Sequence, residues 1–149
     1  MILYLDSSAL VKLFVEEEGS REVLDAVADA GDCYTHVIAY AEVRAALARA
    51  RRMGRASAER LERHTAHLDE IWQALGIVVP DEALIHHAGD LAERFGLRSY
   101  SSVHLSAAHA LASRLDPAVD YRFAAFDKAL LEAARSLGLR SVGQPALPA

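Results

Sequence analysis

Two aspartates, Asp6 and Asp127, each follow directly on a short apolar run, Ile2-Leu3-Tyr4-Leu5 and Phe123-Ala124-Ala125-Phe126. Functional side chains of an open parallel sheet gather outside the carboxyl ends of its strands, so two acids at two such ends converge if the strands are neighbours. An acid in that place also serves as the N-cap of the helix that follows, and for each residue both readings stay open. Glu42 adds a third carboxylate, in Ala41-Glu42-Val43-Arg44. It falls in the first turn of a helical stretch and beside that helix's apolar stripe, whereas an ordinary exposed glutamate would lie opposite it. The plainer alternative is a partner for the helix dipole, favourable by ~0.3–1 kcal/mol.

These acids have to be positioned by the elements around them. Residues 2–5 read as a strand buried on both faces, because the run is continuously apolar and stops at Asp6-Ser7-Ser8. Helical spacing follows in Leu10, Leu13 and Phe14, and again over residues 20–30, which Gly31-Asp32 ends before a β-rich run at 33–38. Residues 39–53 turn helical, with Tyr40, Val43, Leu47 and Ala50 on one stripe. Ser57 is placed to cap the next helix, which carries Leu61, Leu68, Ile71, Trp72 and Leu75 inward and ends near Gly76 before a short strand at 77–79. A helix restarting at Pro80-Asp81 closes at Gly96, and a further one is expected from near Ser101 to about 115. A strand at 123–126, a helix stopped by Gly138 and an edge strand at Ser141-Val142 complete the order. Strands alternating with helices predict an α/β domain, with a mainly parallel sheet of four to five strands and helices on both faces. Residues 1–142 form a single domain in this reading, and 143–149 a short frayed tail.

Composition narrows the classes of function. A length of 149 residues with 52% hydrophobic side chains fits one domain with a sizeable core. With 16 basic against 21 acidic residues the net charge is -5, which excludes a uniformly cationic coat but not a local basic patch. Cys33 is the single cysteine, so there is no intramolecular disulfide and no CxxC metal knuckle; a reducing, cytoplasmic setting is expected. The first residues are too short for a signal-peptide core and no run approaches the ~20 apolar residues of a membrane span, so no membrane association is expected. Seven histidines include His64-x-x-His67 and His86-His87, but zinc needs three or four converging ligands and neither pair has an obvious third. These are read as surface or half-buried histidines, and Trp72 and the phenylalanines as core.

Taken in order, Asp6-Ser7-Ser8-Ala9-Leu10, Ala41-Glu42-Val43, Leu97-Arg98-Ser99-Tyr100-Ser101-Ser102-Val103-His104-Leu105 and Phe126-Asp127 followed by Leu130 and Ala133-Ala134 resemble the PIN-domain family. The resemblance is to its VapC-type ribonuclease toxins of toxin–antitoxin pairs, and it covers essentially the whole chain. It implies a PIN-like fold, hydrolysis of RNA phosphodiesters with Mg²⁺ (Mn²⁺ as substitute), neutralisation by a small antitoxin protein, and a homodimer. Asp6, Glu42 and Asp127 are then metal ligands, with Ser8 orienting a ligand or water, although Ser8 as a plain helix cap stays open. Their carboxylates are expected to lie within about two metal-ligand spans of one another, at Mg–O distances of ~2.1 Å. His104 matches a family position and is read as supporting packing.

One position departs from the pattern. The family places a fourth acid, an Asp, where this chain has Ser101, a neutral and poor ligand for Mg²⁺ that is expected to open its helix as well as an aspartate would. A weakened module that binds RNA or antitoxin without cutting is therefore one rival reading. Another is a phosphatase or phosphotransferase with Asp6 as nucleophile, although that pattern calls for Asp in place of Ser8. Asp116 and Asp120, down or beyond that helix at its far end from the site, are not expected to replace the missing acid. Finally, Arg44, Arg49, Arg51, Arg52 and Arg55 cluster near the end of the Glu42 helix. Arg49 follows Glu42 by close to two turns, on the same face and roughly 10 Å further along, which makes Arg49 and Arg52 candidates for the RNA backbone against a simple solvated face.

Overall fold

The computed structural model describes residues 1–142; the expected tail at 143–149 lies outside the described residues. Strand β1 (Ile2–Leu5) is followed by a short helix, α1 (Ser7–Leu10), that tightens into a 3-10 turn at Val11–Leu13. Then come α2 (Ser20–Asp29), β2 (Asp32–His36), the long pair α3 (Ala39–Arg52) and α4 (Ala58–Trp72), and β3 (Gly76–Val78). The last third holds α5 (Glu82–Phe95), α6 (Ser99–Ala112), β4 (Tyr121–Ala124), α7 (Lys128–Ser136) and β5 (Arg140–Ser141). The strands form one parallel sheet in the order β3-β2-β1-β4-β5. The α/β architecture is thus the expected one, and β1 and β4, which lead into the two aspartates, are neighbours in register from Ile2↔Tyr121 to Leu5↔Ala124.

Alternation along the central strands divides the interior into two layers. Leu3, Leu5 and Ala124 pack with Leu10, Val23, Val43, Leu47 and Leu68, so α1 to α4 cover one face. Tyr4 and Phe123 point the other way and meet Leu91, Leu105, Leu130 and Ala134 from α5, α6 and α7. Helix ends obey local chemistry: Ser57 Oγ accepts the Arg60 N–H at 3.1 Å and Asp81 Oδ1 that of Leu84 at 2.8 Å, and Gly96 closes α5 with φ +65°. Among the described residues no helix is long and apolar enough to cross a membrane.

Several boundaries depart from the sequence reading: β3 and β5 each lie one residue earlier than expected, α6 ends at Ala112 instead of about 115, and three further departures have a local cause or bear on the site. Strand β2 stops at His36 instead of residue 38, because the His36 ring accepts the Ile38 N–H at 3.0 Å and turns the chain toward α3. Strand β4 occupies Tyr121–Ala124 instead of 123–126, since β1, its partner, ends at Leu5 and leaves Ala125 and Phe126 nothing to pair with. Helix α6 begins two residues earlier than Ser101, at Ser99, with Arg98 in the cap position.

Gly19 takes φ +89° at the start of α2, and a Cβ there would overlap the ring of Phe126, the residue before Asp127. Gly54 has φ +73° but open space around it. Gly54→Ala should therefore cost about 1 kcal/mol of left-handed backbone strain alone, and Gly19→Ala about 2–4 kcal/mol, because Phe126 must also move. Urea denaturation of the two variants beside wild type checks the difference.

Candidate functional site

Asp6 leaves β1 at the sheet's carboxyl edge with 5% of its surface exposed. Its backbone N–H donates to Ala124 O at 3.0 Å, continuing the β1–β4 ladder by one step. Its Oδ1 accepts both the Ala9 N–H at 2.9 Å, which caps α1, and the Ser8 hydroxyl at 2.7 Å. Ser8 Oγ in turn accepts the Phe126 N–H at 3.2 Å, tying the start of α1 to the loop that carries Asp127. For Asp6 the two readings are compatible, since it caps α1 and also lines the pocket; Ser8 lies inside α1 and is not its cap, and its hydroxyl instead holds the Asp6 carboxylate. Asp127 caps α7 through the Leu130 N–H at 2.9 Å on Oδ1, and its Oδ2 stands 3.7 Å from Arg98 Nη2.

Glu42 reaches the same place from the first turn of α3. Its Oε2 accepts the Ser7 hydroxyl at 2.9 Å, and its Oε1 lies 2.7 Å from His104 Nε2. Asp6, Glu42 and Asp127, with Ser7, Ser8, Ser101 and His104, line one hollow of about 530 Å³ over the carboxyl ends of β1 and β4. Burial raises the Asp6 carboxyl above the ordinary aspartate range; His104, the Ser8 hydroxyl and the Ala9 N–H oppose the shift, and Glu42 adds to it. A cation in the hollow would relieve that unfavourable charge.

The expected closeness of the three carboxylates is not met in full. Among the described residues, no three His, Cys, Asp or Glu side chains are gathered tightly enough to form a ready-made metal cage. Each carboxylate is held back by its own partners: Asp6 and Asp127 by the helices they cap, Glu42 by Ser7 and His104. The donor chemistry nonetheless fits Mg²⁺ or Mn²⁺, hard ions that take oxygen ligands and bind through one or two carboxylates while keeping several waters.

Ser101 lines the hollow, but from the third position of α6, so it does not open the helix as the sequence reading expected. Its neighbour Ser102 is turned inward, its hydroxyl donating to Ser99 O at 2.7 Å. Arg49 does not share the hollow with Glu42. The rise of α3 carries it past the rim, to a separate hollow of about 870 Å³ beside the 3-10 turn, with Glu16, Glu17, Arg55 and Arg60. Arg52 is exposed at the end of α3. Asp120 sits at the amino end of β4, paired with Arg122 at 2.7 Å, away from the acids. Sequence reasoning missed Ser7, Arg98 and the hydrogen bonding of His104. The signal for His104 was present: it stands three residues after Ser101, on the same helix face.

Fold and site together define a parallel α/β domain whose acids gather at a switch of strand order. The chain belongs to the PIN-domain family, whose model matches residues 3–134. It is 34% identical over 140 residues to Ribonuclease VapC45 and to Ribonuclease VapC49, from two strains of Mycobacterium tuberculosis, covering 93% of this chain and 93% of each relative. Among solved structures it is similar to FitAcB from Neisseria gonorrhoeae, with a TM-score of 0.67 at 17% identity, covering 96% of this chain and 97% of that one.

Behind the acids lies His36, 2% exposed, its ring edge-on to His104 at 6.2 Å between centroids. Its Nδ1 accepts the Ile38 N–H and its Nε2 is buried with no partner, so burial, aided by His104, lowers its pKa from 6.5 to about 4. The unfolded chain takes up this proton near pH 6.5 and the folded chain near 4, so stability supplied by neutral His36 is complete above about pH 6.5 and is lost as pH falls toward 4. The raised Asp6 carboxyl has the opposite slope, so the comparison is with His36→Leu, which retains Asp6. Between pH 7 and 4.5 the wild type should lose about 2 kcal/mol more than that variant, read by urea denaturation at both pH values.

Proposed function

We propose that this chain is a VapC-type, divalent-metal-dependent endoribonuclease that acts as a homodimer and is held inactive by a small antitoxin protein. The observation that carries the reading is the convergence of Asp6, Glu42 and Asp127 on one hollow at the carboxyl ends of neighbouring parallel strands. Kinship with two proteins named ribonucleases supports RNA as the substrate. In this reading the three carboxylates hold Mg²⁺ or Mn²⁺, which when bound supplies Lewis acidity toward water and the scissile phosphodiester. The chain's own part is positioning. Ser8 holds the Asp6 carboxylate, Ser7 and His104 hold Glu42, and the guanidinium of Arg98, beside Asp127, is placed to meet a phosphate oxygen. Without the ion, the acids repel the phosphate chain that has to enter.

Ser101 favours a second reading, in which the chain binds RNA or antitoxin and cuts slowly or not at all. It lines the hollow where the family pattern has an acid, and a neutral hydroxyl there lowers the negative charge available to a divalent ion. The two readings separate on RNA cleavage by the purified chain in Mg²⁺ or Mn²⁺ against EDTA. The nuclease reading expects metal-dependent cleavage that Asp6→Asn and Asp127→Asn each lower by about a hundredfold or more. Ser101→Asp should tighten Mn²⁺ binding and raise the cleavage rate; at the third helical position the new acid also favours the helix by ~0.3–1 kcal/mol, so the fold is kept. Fast cleavage by the unmodified chain, with no gain in metal affinity from Ser101→Asp, would remove Ser101 from the role of lost ligand. For Arg49 and Arg52, the double alanine variant should weaken RNA binding across sequences and flatten its salt dependence by about one to two units of log–log slope, read by filter binding.

A further inference from the structure

Glu42 is the one pocket acid that does not cap the helix after it, and its carboxylate is held from two other elements. Ser7 on α1 donates to Oε2 at 2.9 Å, and His104 on α6 stands 2.7 Å from Oε1. Behind His104, the Tyr4 hydroxyl lies 2.9 Å from Nδ1. Tyr4 is wholly buried and His104 only 1% exposed. An ionised carboxylate only accepts, so the His104 Nε2 facing it carries the hydrogen. In the neutral ring Nδ1 is then an acceptor, and the Tyr4 hydroxyl donates its hydrogen to it. The ring plane is set by edge contacts with Tyr4 at 5.9 Å and with His36 at 6.2 Å. Burying an imidazole costs free energy that an apolar side chain avoids, and at His104, unlike His36, both ring nitrogens have a partner.

We propose that His104 is a positioning residue of this site: supported by Tyr4, it locks the rotamer of Glu42 so that the carboxylate is presented to the acid hollow. The inference rests on reading Glu42 as a metal ligand. A long, flexible side chain loses rotamer freedom when it takes up an ion. Partners that impose the bound rotamer beforehand remove that cost, as hydrogen-bonded outer residues do for other ligating carboxylates.

The test uses the full chain and Mn²⁺ alone, without RNA, with affinity read by calorimetry or by the electron-spin resonance of free Mn²⁺ and melting temperature recorded beside it. His104→Leu should weaken Mn²⁺ binding by about tenfold, and His104→Gln, whose amide nitrogen can replace Nε2 as donor, should restore it to within about threefold. Tyr4→Phe, which removes only the hydroxyl behind the ring, should fall between them. With RNA added, kcat should drop in His104→Leu while KM stays unchanged. Equal loss in the Gln and Leu variants, or full Mn²⁺ affinity in a folded His104→Leu, would return His104 to a packing role. Should the Leu variant not fold, wild-type affinity in Tyr4→Phe overturns the proposal by itself. Glu42→Gln separates the two levels: if it leaves Mn²⁺ affinity unchanged, the ligand reading falls and this proposal with it. If it weakens binding while His104→Leu does not, only the positioning role is lost.

Discussion

Everything at the carboxyl edge of the sheet depends on how Asp6 is held. A carboxylate 95% withdrawn from water is unfavourable unless its oxygens are satisfied, and here a backbone N–H and a serine hydroxyl meet on one of them. Because the same serine accepts from Phe126, the stabilisation of one charge also closes the distance between the first turn of α1 and the loop after β4. The ladder step from Asp6 to Ala124 makes the junction rigid from below. Removing the serine hydroxyl would therefore loosen two acids at once, although it touches only one of them.

Much of this was legible in the sequence, and the reason is local chemistry. An apolar run that ends in an acid, followed by a helical pattern, marks both a strand end and a helix cap, and Asp6 and Asp127 are both. Boundaries were less legible wherever a side chain or a partner strand decides them. His36 ends β2 with its ring, and β4 is cut to the length of β1, neither of which periodicity records. The start of α6 was misplaced because Ser101 was read as opening the helix, and it does not take that part: Arg98, whose side chain makes no capping bond, stands there. His104 was legible as a buried residue and not as a hydrogen-bonded one, since its partners Tyr4 and Glu42 come from distant parts of the chain.

Charge shows a similar limit. The overall balance of -5 hides the fact that seven of the 16 basic residues, all arginines, fall between positions 44 and 63, along α3, the turn after it and the first part of α4. The hollow that Arg49 lines thus joins a basic helical hairpin to Glu16 and Glu17 across an apolar floor that includes Phe14, Leu47 and Leu61. A composition averaged over the chain cancels this local excess of arginine.

The central pairing joins residues 2–5 to residues 121–124, so two segments far apart in the chain meet in the middle of the sheet. A chain made from its amino end therefore carries Asp6 and Glu42 long before it carries the strand that gives Asp6 its ladder partner. Until β4 docks, β1 is an exposed edge and the hollow does not exist, because one of its walls has not been synthesised. The order of synthesis thus separates the birth of the chain from the birth of its site. A fragment that ends before β4 carries Asp6 and Glu42 but lacks the Asp127 wall of the hollow.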